Sequence, residues 1–401
     1  VPESATAPHL ATARSLAEEL TGWRRHFHAQ PELAYEEHET TRDIAAAVEG
    51  MGLTPVRRTP TGLWVDIAGT AGEGPTVLVR ADIDGLPVQE ATGLPFASRN
   101  TGRMHACGHD AHIAMALGVV RTLTAHRDRI RGTVRVLFQP AEEGGAGAVQ
   151  MIDAGALDGV SRAIGLHIFA LAPQGPMGTG HVYLASGPIM AASDRFEIVV
   201  RGRGGHGSMP HIAVDTIPIA AQIVTAMQQV VARQLNPQRA AVLTVGTIRG
   251  GFAANVIAPE VQMSGTVRTF DPEVKATLRA RLDVIVRQTA AAFGAEATLD
   301  YKDGYPVVVN DEATVAVMRR AVDDILGEGA VVALDPIMGS EDFSYIGERV
   351  PSAYLHMGAA NPDAFAPAAN HDPHFTIDEA ALPIGTAILA DTALRLLDQP
   401  V

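Results

Sequence analysis

Two kinds of apolar segment alternate along the first 170 residues, and this alternation limits the possible folds more than any other feature. TGLWVDIAG (61–69), TVLVRADID (76–84), TVRVLFQP (133–140) and SRAIGLHIFA (161–170) are strand-like. They are rich in Val and Ile, with Gly or Pro as punctuation. Between them, HIAMALGVVRTLTAHRDRI (112–130) and GAVQMIDAGAL (147–157) read as helices. Residues 10–30 also have helical apolar spacing and end in a His-rich turn, WRRHFH. Strands alternating with helices predict an α/β layer with a mostly parallel sheet.

Near residue 191 the order changes. A strand (194–204), a long helix within 211–235, two strands (240–251 and 258–270), a helix (271–293) and a strand (295–304) follow one another. Asp271 caps the second helix, with Pro272 at its first position. The order β-α-β-β-α-β is ferredoxin-like. The expected division is a domain of residues 1–190 and 305–401 interrupted by an inserted domain of 191–304. The returning part ends in a helix over 378–397.

Composition removes several classes. One cysteine among 401 residues cannot form an internal disulfide or a Cys-rich zinc site. A net charge of −14 with scattered basic residues argues against a nucleic-acid partner. Two lysines, Lys275 and Lys302, leave little scope for Schiff-base chemistry. Apolar stretches such as AIGLHIFALA are too short and interrupted to span a bilayer, so no membrane partner is expected. No charged-then-apolar leader pattern follows the start VPESATAPHL, and the expected location is cytoplasmic.

Four segments carry metal-type or catalytic side chains. In open α/β sheets, ligands bind beyond the carboxyl ends of the strands. TVLVRADID delivers Asp82 and Asp84 there, TVRVLFQPAEE delivers Glu142 and Glu143, and AIGLHIF carries His167. TGRMHACGHDAH packs His105, Cys107, His109, Asp110 and His112 ahead of a helix. Cys107 and His109 could bind a divalent metal in one loop, and a thiolate can bridge two ions. Asp110 or His112 could orient those ligands by hydrogen bonds. Adjacent Glu142 and Glu143 repel unless a cation lies between them, and one can bind metal while the other works as acid and base. NHDPHF (370–375) adds His371 and His374. GRGGHGSMPH places His206 in a Gly-rich loop at the start of a helix, a position that favours anions.

RADIDGLP, MHACGHDAH, PAEEGGAGA, GLHIF, GGHGSMPH, GTVRTF, GSEDF and NHDPHF occur in this order across nearly the whole chain. Together they resemble the amidohydrolase branch of the aminoacylase/carboxypeptidase family of dinuclear metallopeptidases. The resemblance implies a zinc-peptidase-like α/β catalytic domain with an inserted lid-like dimerisation domain, and hence a homo-oligomer. It implies that Cys107 bridges two divalent ions, with His109, Glu143, His167 and His371 as the other ligands. His374 is the fallback for His371. Zinc or manganese is expected, and nickel or cobalt also suits the ligands. Glu142 would be the general base. His206 would reach the substrate from the inserted domain, with a closing motion between domains. Asn255 and Arg268 would hold the substrate's carboxylate or carbonyl. Asp82-x-Asp84 stands where other family members carry a His-x-Asp ligand pair, so both are expected to support the site without binding metal.

The implied reaction is hydrolysis of the amide bond of a small N-acyl amino acid, releasing a carboxylic acid and a free amino acid. A dipeptidase or carboxypeptidase on the same scaffold is the alternative. A thiol hydrolase using Cys107 is disfavoured, because Cys107 and His109 are too close in sequence and the Glu pair would have no role. A non-catalytic binding protein is disfavoured by the intact Glu142.

Overall fold

The computed structural model of the chain describes residues 8–172 and 175–399. It contains two compact units. The first comprises Val1–Ile189, Val309–Asp335 and Asp342–Val401; the second comprises Met190–Val308 and Pro336–Glu341. The segment 336–341, expected in the first unit, belongs to the second. It is held there by the Ala191 amide, which donates to the carbonyls of Ile337 (3.1 Å) and Gly339 (2.9 Å).

In the first unit the sheet order is Leu63–Ala68, Thr133–Gln139, Thr76–Asp82, Val160–Phe169, Ser352–Gly358 and Val182–Tyr183. The four inner strands are parallel and the two edges antiparallel, giving a mixed, mostly parallel sheet. Strands covered by helices read as continuous apolar runs. Thr76–Asp82 and Ser352–Gly358 are buried along almost their whole length. Helices Ala17–His28, His109–Ala125 and Ala381–Leu397 pack on one another. At Gly118, where they cross, a Cβ would lie 2.6 Å from Leu20 Cδ2 and 2.8 Å from Thr386 Oγ1. Only glycine permits that approach.

Two local expectations change. WRRHFH is not a turn; it closes the helix Ala17–His28. Two of its polar side chains, Arg24 and His28, are buried, and both are paired. Arg24 Nε donates to Asp110 Oδ2 (2.9 Å) and Nη1 to Glu379 Oε1 (3.1 Å). The helix expected from residue 112 begins at His109, so His109 and His112 lie on its first turn. Helix His38–Gly50 was not anticipated: its buried face, Thr40, Thr41, Ile44, Ala45 and Val48, is only partly apolar.

In the second unit the strands Ala192–Arg201, Ala241–Gly250, Glu260–Thr269 and Glu296–Tyr305 alternate with helices Thr216–Arg233 and Pro272–Ala292 in the order β-α-β-β-α-β. The sheet order is Ala241–Gly250, Glu260–Thr269, Ala192–Arg201, Glu296–Tyr305, all antiparallel. Asp271 Oδ1 caps the second helix through the amides of Glu273 (2.8 Å) and Val274 (3.4 Å). Phe196, Ile198, Val200, Met227, Leu278 and Leu282 form a core separate from that of the first unit. Among the described residues, no helix is long and apolar enough to cross a membrane.

Candidate metal centre

The first unit brings its metal-type residues together at the carboxyl ends of its parallel strands. Cys107 enters just before helix His109–Ala125. The intervening Gly108 has φ +90°, and a Cβ there would stand 2.5 Å from Ile168 Cγ2. Glycine therefore lets the Cys107 loop close onto the strand that carries His167. Cys107 Sγ lies 3.3 Å from His167 Nε2.

The protein chooses which imidazole nitrogen each histidine offers. His109 Nδ1 donates to the Asp84 carbonyl at 2.9 Å, and His167 Nδ1 donates to the Ile168 carbonyl at 3.0 Å. In His109 this leaves Nε2 buried with no hydrogen-bond partner. Metal-binding histidines are usually oriented in this way by their second nitrogen. His112 differs. Its Nδ1 donates to Asp82 Oδ1 (2.5 Å) and its Nε2 accepts from the Ile168 amide (3.0 Å), so both nitrogens are engaged. His105 is buried with neither ring nitrogen hydrogen-bonded.

Asp84 braces the paired glutamates. Its Oδ1 accepts from the Glu142 amide and its Oδ2 from the Glu143 amide, each at 3.0 Å. Glu142 Oε1 accepts from the Asp342 amide at 3.4 Å. Glu143 Oε1 lies 3.1 Å from His371 Nε2. His371 has φ +73°, unusual for a residue with a side chain, and its amide donates to the Ala106 carbonyl at 2.7 Å. Strain of this kind persists only where its surroundings enforce it. His374 instead pairs with Asp372 at 3.1 Å.

The donor atoms of Cys107, His109 and His167 all lie within 4.8 Å of one another. So do those of Cys107, Glu143 and His371, and those of His109, Glu142 and Glu143. The first two groups share Cys107 and together contain all five expected ligands. Glu142 stands beside both.

Electrostatics show what this cluster favours. Burial, reinforced by Glu143, Glu142 and Asp82, pushes the Cys107 thiol well above its ordinary pKa. Burial opposes a charge on His109, but Asp82, Asp84 and Glu143 outweigh it and hold its pKa up to about 10. Burial and the neighbouring His112 hold His167 well below the ordinary imidazole range, leaving a neutral lone pair. The cluster therefore attracts positive charge at His109 Nε2 and resists a bare thiolate. Divalent cations satisfy both demands, because metal and proton compete for the same atoms. A thiolate, three imidazoles and a carboxylate suit zinc-like transition metals.

Several supporting residues had escaped the sequence reading. Arg80 is buried and donates from Nη1 to Asp82 Oδ2 (2.6 Å) and from Nη2 to Asp342 Oδ1 (2.7 Å). Its signal was a charge inside an apolar strand. Asn370 Nδ2 donates to the carbonyls of Cys107 (3.0 Å) and Ile168 (3.3 Å). Asp110, which the sequence offered as a possible orienter of the ligands, pairs instead with Arg24 (2.9 Å) and His28 (2.8 Å); burial opposes its charge, yet these two hold it well below the ordinary carboxylate range. Glu37 is buried and accepts from the Ala141 amide at 2.8 Å. Burial, with Asp84 adding to it, raises its pKa to about 7 against the pull of backbone donors. Nothing in its local sequence pointed to that position.

His206, Asn255 and Arg268 belong to the second unit. His206 is not at a helix start. It lies in the short strand Gly205–His206, paired with Val256–Ile257, and the helix begins later, at Thr216. A turn at Pro210–Ile212 intervenes. The Gly207 amide donates to the Asn255 carbonyl at 2.8 Å, which keeps Asn255 next to His206. His206 Nδ1 accepts from the Ser208 amide at 3.1 Å, so the ring proton is on Nε2. Arg268 is half-buried and donates to Ser340 Oγ at 2.7 Å. Burial and the nearby Arg195 lower its pKa.

A family model described as peptidase family M20/M25/M40 matches residues 78–395. An N-acetyl-L-cysteine deacetylase of Bacillus subtilis is 42% identical over 386 residues, covering 96% of this chain and 89% of the relative. Thermostable carboxypeptidase 2 of Saccharolobus solfataricus is 36% identical over 386 residues, covering 94% of this chain and 96% of the relative. A crystal structure of a Bacillus subtilis dinuclear metal-binding peptidase from the M20 family superposes with a TM-score of 0.83 at 34% identity. That match covers 96% of this chain and all of the other.

Proposed function

Because the chain belongs to the M20/M25/M40 peptidase family, we propose that it hydrolyses the amide bond of N-acyl amino acids with two bound divalent metal ions. The observation that carries this reading is Cys107, shared by two groups of ligand atoms, with Glu142 beside both. Cys107, His109, Glu143, His167 and His371 hold the ions, with zinc or manganese as the favoured pair and nickel or cobalt as alternatives. When bound, the ions lower the pKa of water and polarise the scissile carbonyl.

Glu142 takes the proton of the attacking water and returns it to the departing nitrogen. Its backbone is pinned by Asp84, so its carboxylate is held beside the ligands. His206 offers its Nε2 proton to the developing oxyanion, in its own site or a partner subunit's. Arg268 pairs with the free carboxylate of the substrate, and Asn255 supports His206 and the substrate carbonyl. On this reading the inserted unit is a ferredoxin-like lid and a dimerisation domain. Its edge strand Ala241–Gly250 is unpaired on one side among the described residues, with Ile248 (54%) and Phe252 (78%) exposed nearby. Such an edge is a ready pairing surface.

The test is elemental analysis of the purified protein, followed by a substrate panel. N-acetyl, N-benzoyl and longer-chain acyl amino acids are run beside dipeptides, with amine release as the readout. Turnover confined to dipeptides would move the assignment to the peptidase reading, which the carboxypeptidase relative favours. Glu142→Ala should keep both metals and lose hydrolysis; wild-type turnover would remove it as the base.

A further inference from the structure

The loop that carries Glu142 follows the strand Thr133–Gln139 and runs Ala141, Glu142, Glu143 into the Gly-rich sequence GGAGA, whose last two residues open the helix Gly147–Asp153. Three successive amides in it donate to buried carboxylates. Ala141 N reaches Glu37 Oε1 at 2.8 Å, while Glu142 N and Glu143 N reach the two oxygens of Asp84 at 3.0 Å each. Ala141 has φ +54°, in the left-handed region that alanine avoids. The Gly147 amide donates to the Ala141 carbonyl at 3.1 Å, but the geometry on the amide side of Ala141 is set from elsewhere.

The turn 35–37 imposes it. Glu37 holds the start of the loop at Ala141, and the Tyr35 hydroxyl donates to the Gly145 carbonyl at 2.6 Å. Glu37 is itself anchored, because its carbonyl accepts from the Thr41 amide (3.0 Å) at the start of helix His38–Gly50. Asp84 cannot be altered without disturbing a ligand, since its side chain also holds the Glu143 amide and lies 3.4 Å from His109 Nδ1. Glu37 touches none of the five proposed ligands.

We propose that Glu37 is a positioning residue for catalysis: by holding the Ala141 amide it keeps the peptide leading into Glu142 in the strained geometry that aims the base. Without that acceptor, Ala141 relaxes to negative φ and the Glu142 carboxylate swings away from the attacking water. The inference rests on Glu142 as the base.

The experiment compares Glu37→Ala, Glu37→Asp and Glu37→Gln with Glu142→Gln in metal-loaded enzyme. It records kcat, KM, metal content and Tm on one N-acetyl amino acid. Glu37→Ala should keep both metals and a KM within about threefold, and lose kcat on the order of 100-fold, as expected for a small misplacement of a reacting group. Glu37→Asp keeps the charge but not the reach, so it should lose kcat similarly even if the alanine variant fails to fold. Glu37→Gln retains an acceptor oxygen and should recover most of kcat. Unchanged kcat in the Ala or Asp variant overturns the inference. So does a loss of kcat that only tracks metal content, or a Gln variant as impaired as Asp. Wild-type turnover in Glu142→Gln would instead defeat the base assignment, whatever the Glu37 variants do.

Discussion

Arg80→Met is the sharpest test of how the centre is supported. Arg80 is 2% exposed in the strand Thr76–Asp82. Its Nε donates to Gln139 Oε1 (2.8 Å), its Nη1 to Asp82 Oδ2 (2.6 Å) and the Tyr354 hydroxyl (3.3 Å), and its Nη2 to Asp342 Oδ1 (2.7 Å). One guanidinium therefore serves two buried carboxylates. Asp82 in turn holds His112, and Asp342 accepts from Gln139 and from the Ala148 amide at the head of the helix Gly147–Asp153. Burial opposes charge on Asp82, but His109, His112 and Arg80 outweigh it and hold the carboxyl well below its ordinary range. Methionine fills the space of the stem and removes the cation. Leaving one partner of a buried pair uncompensated costs about 3–5 kcal/mol. At roughly 2–4 °C per kcal/mol for a domain of this size, Tm should fall by about 10 °C. Arg80→Lys keeps the charge but not the fork, and should cost about 1.5–3 kcal/mol, one charged hydrogen bond. Calorimetry of the metal-free protein at neutral pH measures both. A Tm within about 2 °C of wild type for Arg80→Met would show that the carboxylates do not need this cation.

Three further outcomes follow from the same geometry. Cys107→Ala should lose both ions in elemental analysis, whereas His371→Ala should lose one and His374→Ala neither; two ions retained without Cys107 would refute the shared ligand. Metal affinity should fall as pH falls, by up to about tenfold per unit below the His109 value of about 10, because protons compete for its Nε2. A flat competition titration between pH 6 and 8 would contradict that. The Glu37 carboxyl is raised from 4.5 to about 7, so the folded state binds its proton more tightly than the unfolded chain does. Its contribution is present in full below about pH 4.5 and is lost as pH rises through about 7, on the order of 3 kcal/mol in total. Metal-free wild type should therefore weaken relative to Glu37→Gln across that window in urea denaturation, and parallel curves would count against the buried charge.

The chain's own periodicity determined the sheet class, because side-chain direction along a strand or helix is a local property. The runs ending at Asp82, Gln139 and Phe169 are inner parallel strands, and Asp271 caps the helix it was expected to cap. Cys107 and His109 stood out because soft and borderline ligands rarely crowd into one loop without cause. Partners across the chain were a different matter. WRRHFH reads as a turn because the partners of its polar side chains, among them Asp110 and Glu379, lie far away in sequence. The family resemblance favours His371 over His374, and the backbone turn at φ +73° accompanies the placing of the former beside Glu143, while the latter pairs with Asp372. Arg80 and Glu37 act through hydrogen bonds to residues that strand register and loop packing deliver. Residue types and local spacing therefore announced the chemistry. Which nitrogen is free, which carboxylate is braced and which backbone is strained depend on long-range contacts, and those exist only once the chain has folded.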